Sequence, residues 1–290
     1  EAEAIKPDHL YIQMTKAQAL FALGRKAESD ALYEQLERRS PDNVMISMTR
    51  GVQYMAYEHD FAKATVYLRQ ALERWDKNSQ GLPRYMLVYL LAVSEMASDQ
   101  YPAARGHFEE LLRDPVYYGP AYEQLASIYR SEKNYAKALE AYSAYLTIHP
   151  EARESAEVQQ QYRLYYLLDQ WDKDGENVAV LNDLGQILQQ KHKYADAEAY
   201  WVLALELAPD NPVVLYNLGS LYLTIQKPAQ ARELLEKAVL LKPDYVKAWY
   251  NLGLARQQTG DSTGAKAAWQ KVLALDPTHA GAQKALAGQP

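Results

Sequence analysis

Three consecutive stretches of the chain align without a gap: VAVLNDLGQILQQKHKYADAEAYWVLALELAPDN at residues 178–211, PVVLYNLGSLYLTIQKPAQARELLEKAVLLKPDY at 212–245 and VKAWYNLGLARQQTGDSTGAKAAWQKVLALDPTH at 246–279. Leu184, Leu218 and Leu252 lie 34 residues apart, as do Gly185, Gly219 and Gly253 and the closing prolines Pro209, Pro243 and Pro277. A fixed step of this length marks a two-helix unit that buries its apolar face only against its neighbours. In 212–245, Leu215, Leu218 and Tyr222, then Ala231, Leu235 and Ala238, follow the spacing of a helical stripe. Gln226-Lys227-Pro228 ends the first helix and Lys242-Pro243-Asp244 the second, while Asn211 caps the start ahead of Pro212. Gly219, Ala231 and Ala238 let the helices approach closely and Leu235 fills the gap between them, so added bulk should push them apart.

The step of 34, with Trp/Leu-x-x-Leu-Gly-x-x-Tyr, then Ala-x-x-x-aromatic-x-x-Ala and a closing Pro, resembles the tetratricopeptide repeat. Residues 246–279 supply Trp249, Leu252, Gly253, Ala265, Trp269, Val272 and Pro277, with Arg256 where that family usually has Tyr. Residues 178–211 supply Leu181, Leu184, Gly185, Leu188, Ala197, Trp201, Ala204 and Pro209. Residues 119–152 carry Tyr122, Leu125, Ala126, Tyr129, Ala138, Tyr142, Tyr145 and Pro150, and 85–118 carry Val88, Leu91, Ala92, Ala104, Phe108 and Leu111, with Pro115 one place early. Residues 45–78 (Met48, Val52, Met55, Ala64, Leu68, Ala71) and 10–43 (Ala17, Leu20, Tyr33, Leu36, Pro41) are degenerate copies, as end repeats tend to be.

The expected fold is all-α: an α-α superhelical solenoid of about seven helix-turn-helix repeats. Residues 1–9 form a tail, 10–152 an N-terminal array, 153–177 an inserted helix and turn, 178–279 a C-terminal array and 280–290 a capping helix and tail. Ser79 to Arg84 reads as a longer loop, and 153–177 as one long helix or a repeat with a shortened partner.

Composition narrows the function. Thirty-one Lys and Arg against 37 Asp and Glu give a net charge of −6 without a basic run, which argues against a nucleic-acid phosphate backbone. No apolar run has the length of about 18–20 residues that membrane insertion needs. Cys 0 removes thiol catalysis and thiolate metal sites. Phosphate-loop, dinucleotide, nucleophile-elbow and zinc-helix motifs are missing, and His9, His59, His107, His149, His192 and His279 share no ligand spacing. Gly260 to Gly264 reads as a turn, and Asp172, Asp174 and Glu176 lack the Glu that a calcium loop places twelfth, where Asp183 stands. The expectation is therefore no enzyme, no cofactor and no metal. Glu1-Ala2-Glu3-Ala4 has neither an initiator Met nor an apolar signal. It is expected to be either the start of a processed exported protein or a secretion-vector spacer, and an exported or periplasmic location is slightly favoured over a cytoplasmic one.

The resemblance implies that the first helix of each repeat lines a concave ligand face. Mapped onto this chain, that face holds Met14, Phe21, Tyr57, Met86, Tyr89 and Met96 in the N-terminal array, an adaptable apolar surface. In the C-terminal array it holds Asn182, Gln186, Tyr216, Asn217, Ser220, Tyr250 and Asn251, suited to main-chain hydrogen bonds. Asn217 and Asn251, one step apart, resemble the asparagine ladder with which some tetratricopeptide proteins grip peptide backbone, with Asp183 in the preceding place making it partial. The carboxylate clamp of the chaperone-type members needs cations where this chain has Asn182, Gln186, Tyr216, Ser220, Tyr250 and Leu254, so that mode is not expected. Tyr165 and Tyr166 are expected to face outward and allow self-association. The leading expectation is a scaffold or adaptor for a protein or peptide, in a style that resembles bacterial envelope adaptors. A self-associating homo-oligomer, or the repeat portion of a larger enzyme or export machine, is the alternative.

Overall fold

The computed structural model describes residues 9–75, 82–113 and 118–288. The N-terminal four residues, the Ser79 to Gly81 part of the expected loop and Pro115 lie outside them. Among the described residues there are sixteen α-helices and no strand. In order they are α1 (Leu10–Ala22), α2 (Lys26–Arg39), α3 (Val44–Gln53), α4 (Phe61–Arg74), α5 (Arg84–Ala97), α6 (Tyr101–Leu111), α7 (Tyr118–Ser131) and α8 (Tyr135–Ile148). They continue with α9 (Ala156–Lys173), α10 (Val178–Gln190), α11 (Tyr194–Leu207), α12 (Pro212–Thr224), α13 (Pro228–Leu241), α14 (Val246–Gln258), α15 (Ser262–Leu275) and α16 (Ala280–Leu286). A π-helix (Tyr54–Glu58) extends α3, and a 3₁₀ helix (Pro150–Glu154) follows α8. The chain forms two compact units, Glu1–Ser155 and Ala156–Pro290. Within each, helices pack mainly on their sequence neighbours, as in α3 on α4, α12 on α13 and α14 on α15.

Each first helix ends the same way. A residue in the left-handed region stands after α1 (Gly24), after the π-helix (His59), and after α5 (Asp99), α7 (Lys133), α10 (His192), α12 (Gln226) and α14 (Gly260). That kink turns the next amide back onto the helix it has just left: Lys227 N–H donates to the Tyr222 carbonyl at 2.7 Å and Asp261 N–H to that of Arg256 at 2.9 Å. Carbonyls that the helix end would orphan are thereby satisfied. At the starts of α3, α10 and α12 an asparagine side chain does this work, and Asn211 Oδ1 accepts from the amides of Val213 and Val214 at 3.0 and 3.2 Å.

The glycine of each copy explains the pairing of its helices. A Cβ built on Gly185 would lie 2.5 Å from the Trp201 ring, one on Gly253 2.2 Å from Trp269, and one on Gly219 2.8 Å from Leu235 Cγ. Each large side chain rests directly on the backbone of the facing helix. The two indoles also reach a carbonyl one turn earlier, Trp201 Nε1 donating to Asn182 O and Trp269 Nε1 to Tyr250 O, both at 3.2 Å.

The same contact corrects the register of the second copy. There the residue under the large side chain is Gly51, whose Cβ would meet Leu68 Cγ at 2.7 Å, and not Val52. Glycine and large residue are 16 apart in the C-terminal copies and 17 apart here, and the π-helix at Tyr54–Glu58 absorbs the extra residue.

The residue expected to be a tyrosine three places beyond the glycine position has one task in several copies. Tyr222 donates to Glu198 and Tyr129 to Glu109, both at 2.9 Å, and Arg256 Nη2 reaches Glu236 at 3.0 Å. Arg256 thus replaces Tyr without changing the link to an earlier helix. Burial first, and then the bonded carboxylate, push the phenols of Tyr222 and Tyr129 up to about 12.

Candidate functional site

In the second unit the face carried by α10, α12 and α14 is amide-rich. Asn217 Nδ2 donates to Asn182 Oδ1 at 2.8 Å, and Asn251 Nδ2 donates to Ser220 Oγ at 2.7 Å. Each of the two asparagines is thereby held by a polar side chain of the preceding first helix, Asn217 by an amide and Asn251 by a hydroxyl. Asp183, in the repeat place of Asn217 and Asn251, stands outside these bonds, and Asn182 one position earlier meets Asn217. Asp183 instead accepts from Arg163 of α9 at 2.7 Å. Each amide uses one hydrogen-bonding group on its neighbour: Asn217 and Asn251 keep their oxygens and a second N–H, and Asn182 keeps its NH₂.

Aromatic rings flank this row. Tyr216 lies 4.9 Å from Tyr245 and Tyr250 4.8 Å from His279, between ring centroids. All four are half-buried, as are Gln186 and Ser220. Burial, with a smaller contribution from Tyr216, pushes the Tyr245 phenol up to about 12. The indole bonds described above fix the backbone of Asn182 and Tyr250, so buried tryptophans position two residues of this face.

The first unit departs from expectation. Met14 is buried in a cluster with Ala17, Tyr33, Leu36 and Ile46. Phe21 is buried too, its ring centroid 6.1 Å from Tyr54 and 5.9 Å from Tyr57. Neither presents its side chain to a ligand, because α1 turns that face onto the following helices and these two positions become core. Tyr57 and Met86 are exposed, and Met96 and Tyr89 are half-buried, the latter edge-on to Phe108 at 6.1 Å. On α9 Tyr166 is exposed, but Tyr165 is only 2% exposed and cannot face outward. That half of α9 buries Leu164, Tyr165, Leu167, Leu168 and Asp169, more than one stripe of the helix.

No group of three or more His, Cys, Asp or Glu suited to a metal ion occurs among the described residues. No described helix is long and apolar enough to cross a membrane. Gly260 has φ +85° and Asp261 Oδ1 accepts from Gly264 N–H at 2.8 Å, so this glycine-flanked segment is a turn and a helix cap.

Comparison with known sequences follows the same helices. Profiles described as tetratricopeptide repeat match residues 176–241, 89–153 and 216–280, together more than half of the chain. The chain belongs to the tetratricopeptide repeat family. No curated protein matches it. Among solved structures, the C-terminal part of a TPR repeat-containing protein from Cytophaga hutchinsonii is similar at 18% identity and a TM-score of 0.41, over 94% of this chain and 99% of that one. The first TPR of Spaghetti (RPAP3), bound to the HSP90 peptide SRMEEVD, is 30% identical with a TM-score of 0.38, over 40% of this chain and 91% of that one. The second TPR domain of the human RPAP3 protein, in complex with the HSP70 peptide SGPTIEEVD, is 29% identical with a TM-score of 0.36, over 37% and 90%. The tetratricopeptide face of the present chain is read from its own side chains.

Proposed function

We propose that this protein is a non-catalytic interaction scaffold whose second unit binds an extended protein segment along α10, α12 and α14. The observation that carries the reading is the pair of side-chain bonds between successive first helices, from Asn217 to the Asn182 amide and from Asn251 to the Ser220 hydroxyl. An amide held by its neighbour has lost rotamer freedom before a ligand arrives, so less entropy is lost on binding. Its remaining donor and acceptor match the alternating N–H and C=O groups of a peptide backbone. Tyr216 and Tyr250, each preceding one of the two asparagines, add apolar ring area with a polar tip. The face carries no cation at the places where a terminal carboxylate would be clamped, so the segment is read along its length and not at its end.

The test uses the full chain to select binders from a displayed library of random peptides. Variants Asn217→Ala, Asn251→Ala and Tyr216→Ala should each weaken the selected peptides severalfold, and together abolish binding. Retention of full affinity by the triple variant would remove the groove assignment.

A further inference from the structure

The first-helix stripe that packs each copy together is apolar in α12, where Leu215, Leu218 and Leu221 are all buried. The corresponding residues of α3, counted from Gly51 as those of α12 are from Gly219, are Ser47, Arg50 and Gln53, equally buried. Ser47 accepts from Arg74 at 3.0 Å, within its own helical pair. Arg50 donates across to α2, to Asp30 at 3.2 Å and to both Glu37 oxygens at 3.3 Å, and its guanidinium lies over Tyr67 and Tyr33, 4.5 and 5.7 Å from the ring centroids. Gln53 is 1% exposed, and neither its Nε2 nor its Oε1 has a partner among the described residues; the same holds for Arg50 Nε and the Tyr33 hydroxyl.

Packing at this junction is correspondingly thin. α2 touches α3 at far fewer places than α4 touches α5. The α1–α2 hairpin is well packed on itself and is tied internally by Ser29 Oγ donating to the Ala17 carbonyl at 2.7 Å. Its apolar hold on the rest of the unit rests on Ile46 in the Met14 cluster, with Met45 packed against it, and on Phe21 against Tyr54 and Tyr57. An ion pair from Lys26 to Glu58 adds a charged tie.

We propose that the α1–α2 hairpin is a strap that opens as one body from α3, exposing Arg50, Gln53 and the stacked rings of Tyr54 and Tyr67. Closure leaves Gln53 dehydrated without a bond, and opening restores its water, so the closed state is favoured by less than at an all-leucine junction. The two tyrosines, parallel within 3° and 5.6 Å apart, stay on the unopened part, with Arg50 stacked over Tyr67. The opened face is thus polar and aromatic and can remain in water without collapsing.

Native-state hydrogen exchange on the full chain tests this. Gln53→Leu should raise protection of the α1 and α2 amides about tenfold or more by removing the unpaired amide, and leave α12–α15 unchanged. Gln53→Glu, nearly the same shape, should lower protection in α1 and α2 alone. Unchanged α1–α2 exchange in both variants would overturn the strap. So would a shift of equal size through α3–α8, because Gln53 would then belong to one cooperative block.

Discussion

α3 and α12 hold equivalent places in their helical pairs, yet one buries Ser47, Arg50 and Gln53 where the other buries three leucines. Both helices form, and both seat a glycine under a leucine, Gly51 under Leu68 and Gly219 under Leu235. The backbone plan therefore tolerates either chemistry. What changes is the coupling to the preceding pair: area removed from water at α12, a charge network and unpaired groups at α3. In a repeat array such a difference stays local, because stability is a sum over neighbours.

The sharpest way to break the comparison is to move the polar chemistry without its partners. Leu252 of α14 corresponds to Arg50, but where Asp30 and Glu37 stand in the earlier copy the chain has Arg232 and Val239. Leu252→Arg should therefore bury an unpaired cation near another one and cost about 3–5 kcal/mol, seen as an early loss of the α13–α16 signal in denaturant. A loss below about 1 kcal/mol would show that the stripe can be polar anywhere in the chain.

Next in size is the glycine contact. Gly185→Ala and Gly253→Ala press a methyl into an indole that is itself hydrogen-bonded, so the ring cannot retreat without losing that bond. A cost of about 2–3 kcal/mol is expected in each. Gly219→Ala meets the flexible end of Leu235 and gains helix propensity, so about 1 kcal/mol or less is expected. Equal melting shifts in all three would mean that the tryptophans pack no more rigidly than the leucine.

These glycines were legible in the sequence because three copies in register align them, with Trp201 and Trp269 at the aromatic position of their copies. Gly51 was not, since a step counted in residues cannot show where a π-turn absorbs one. Tyr165 was misjudged because α9 has no copy to align with, and its buried residues exceed a single stripe. Met14 and Phe21 failed for another reason: in a terminal copy the face that would be open elsewhere is covered by the helices that follow. The amide row was half visible, its residues named but its path through Asn182 decided by side-chain reach.

Alkaline pH gives a smaller effect and acts on both units, since burial also raises the Tyr33 phenol of the first. The Tyr222 and Tyr245 phenols in the second unit, and Tyr129 in the first, are pushed up to about 12, chiefly by burial. The folded state holds these protons while the unfolded chain releases them near pH 10. Their stabilisation is complete below pH 10 and is lost as pH rises toward and through about 12. Melting temperature should fall over that window, and Tyr222→Phe should flatten the fall. An identical slope in the variant would place the titration elsewhere.

The smallest effect concerns a feature that both units share, the left-handed residue after each first helix. Two of the seven are glycine, Gly24 and Gly260, while Lys133 in the first unit and Gln226 in the second hold φ +59° and +61° with side chains attached. A side chain there crowds the following carbonyl at a cost of about 1–2 kcal/mol, and glycine removes the crowding but adds freedom to the unfolded chain. The two terms leave a net gain of about 0.5–1 kcal/mol for Lys133→Gly and for Gln226→Gly. His192→Gly should gain less, because it forfeits the 2.8 Å bond between His192 Nδ1 and the Tyr194 hydroxyl. Equal gains at Lys133 and Gln226 would show that the turn is independent of the stripe chemistry that separates α3 from α12. A gain confined to one unit would mean that turn and stripe act together.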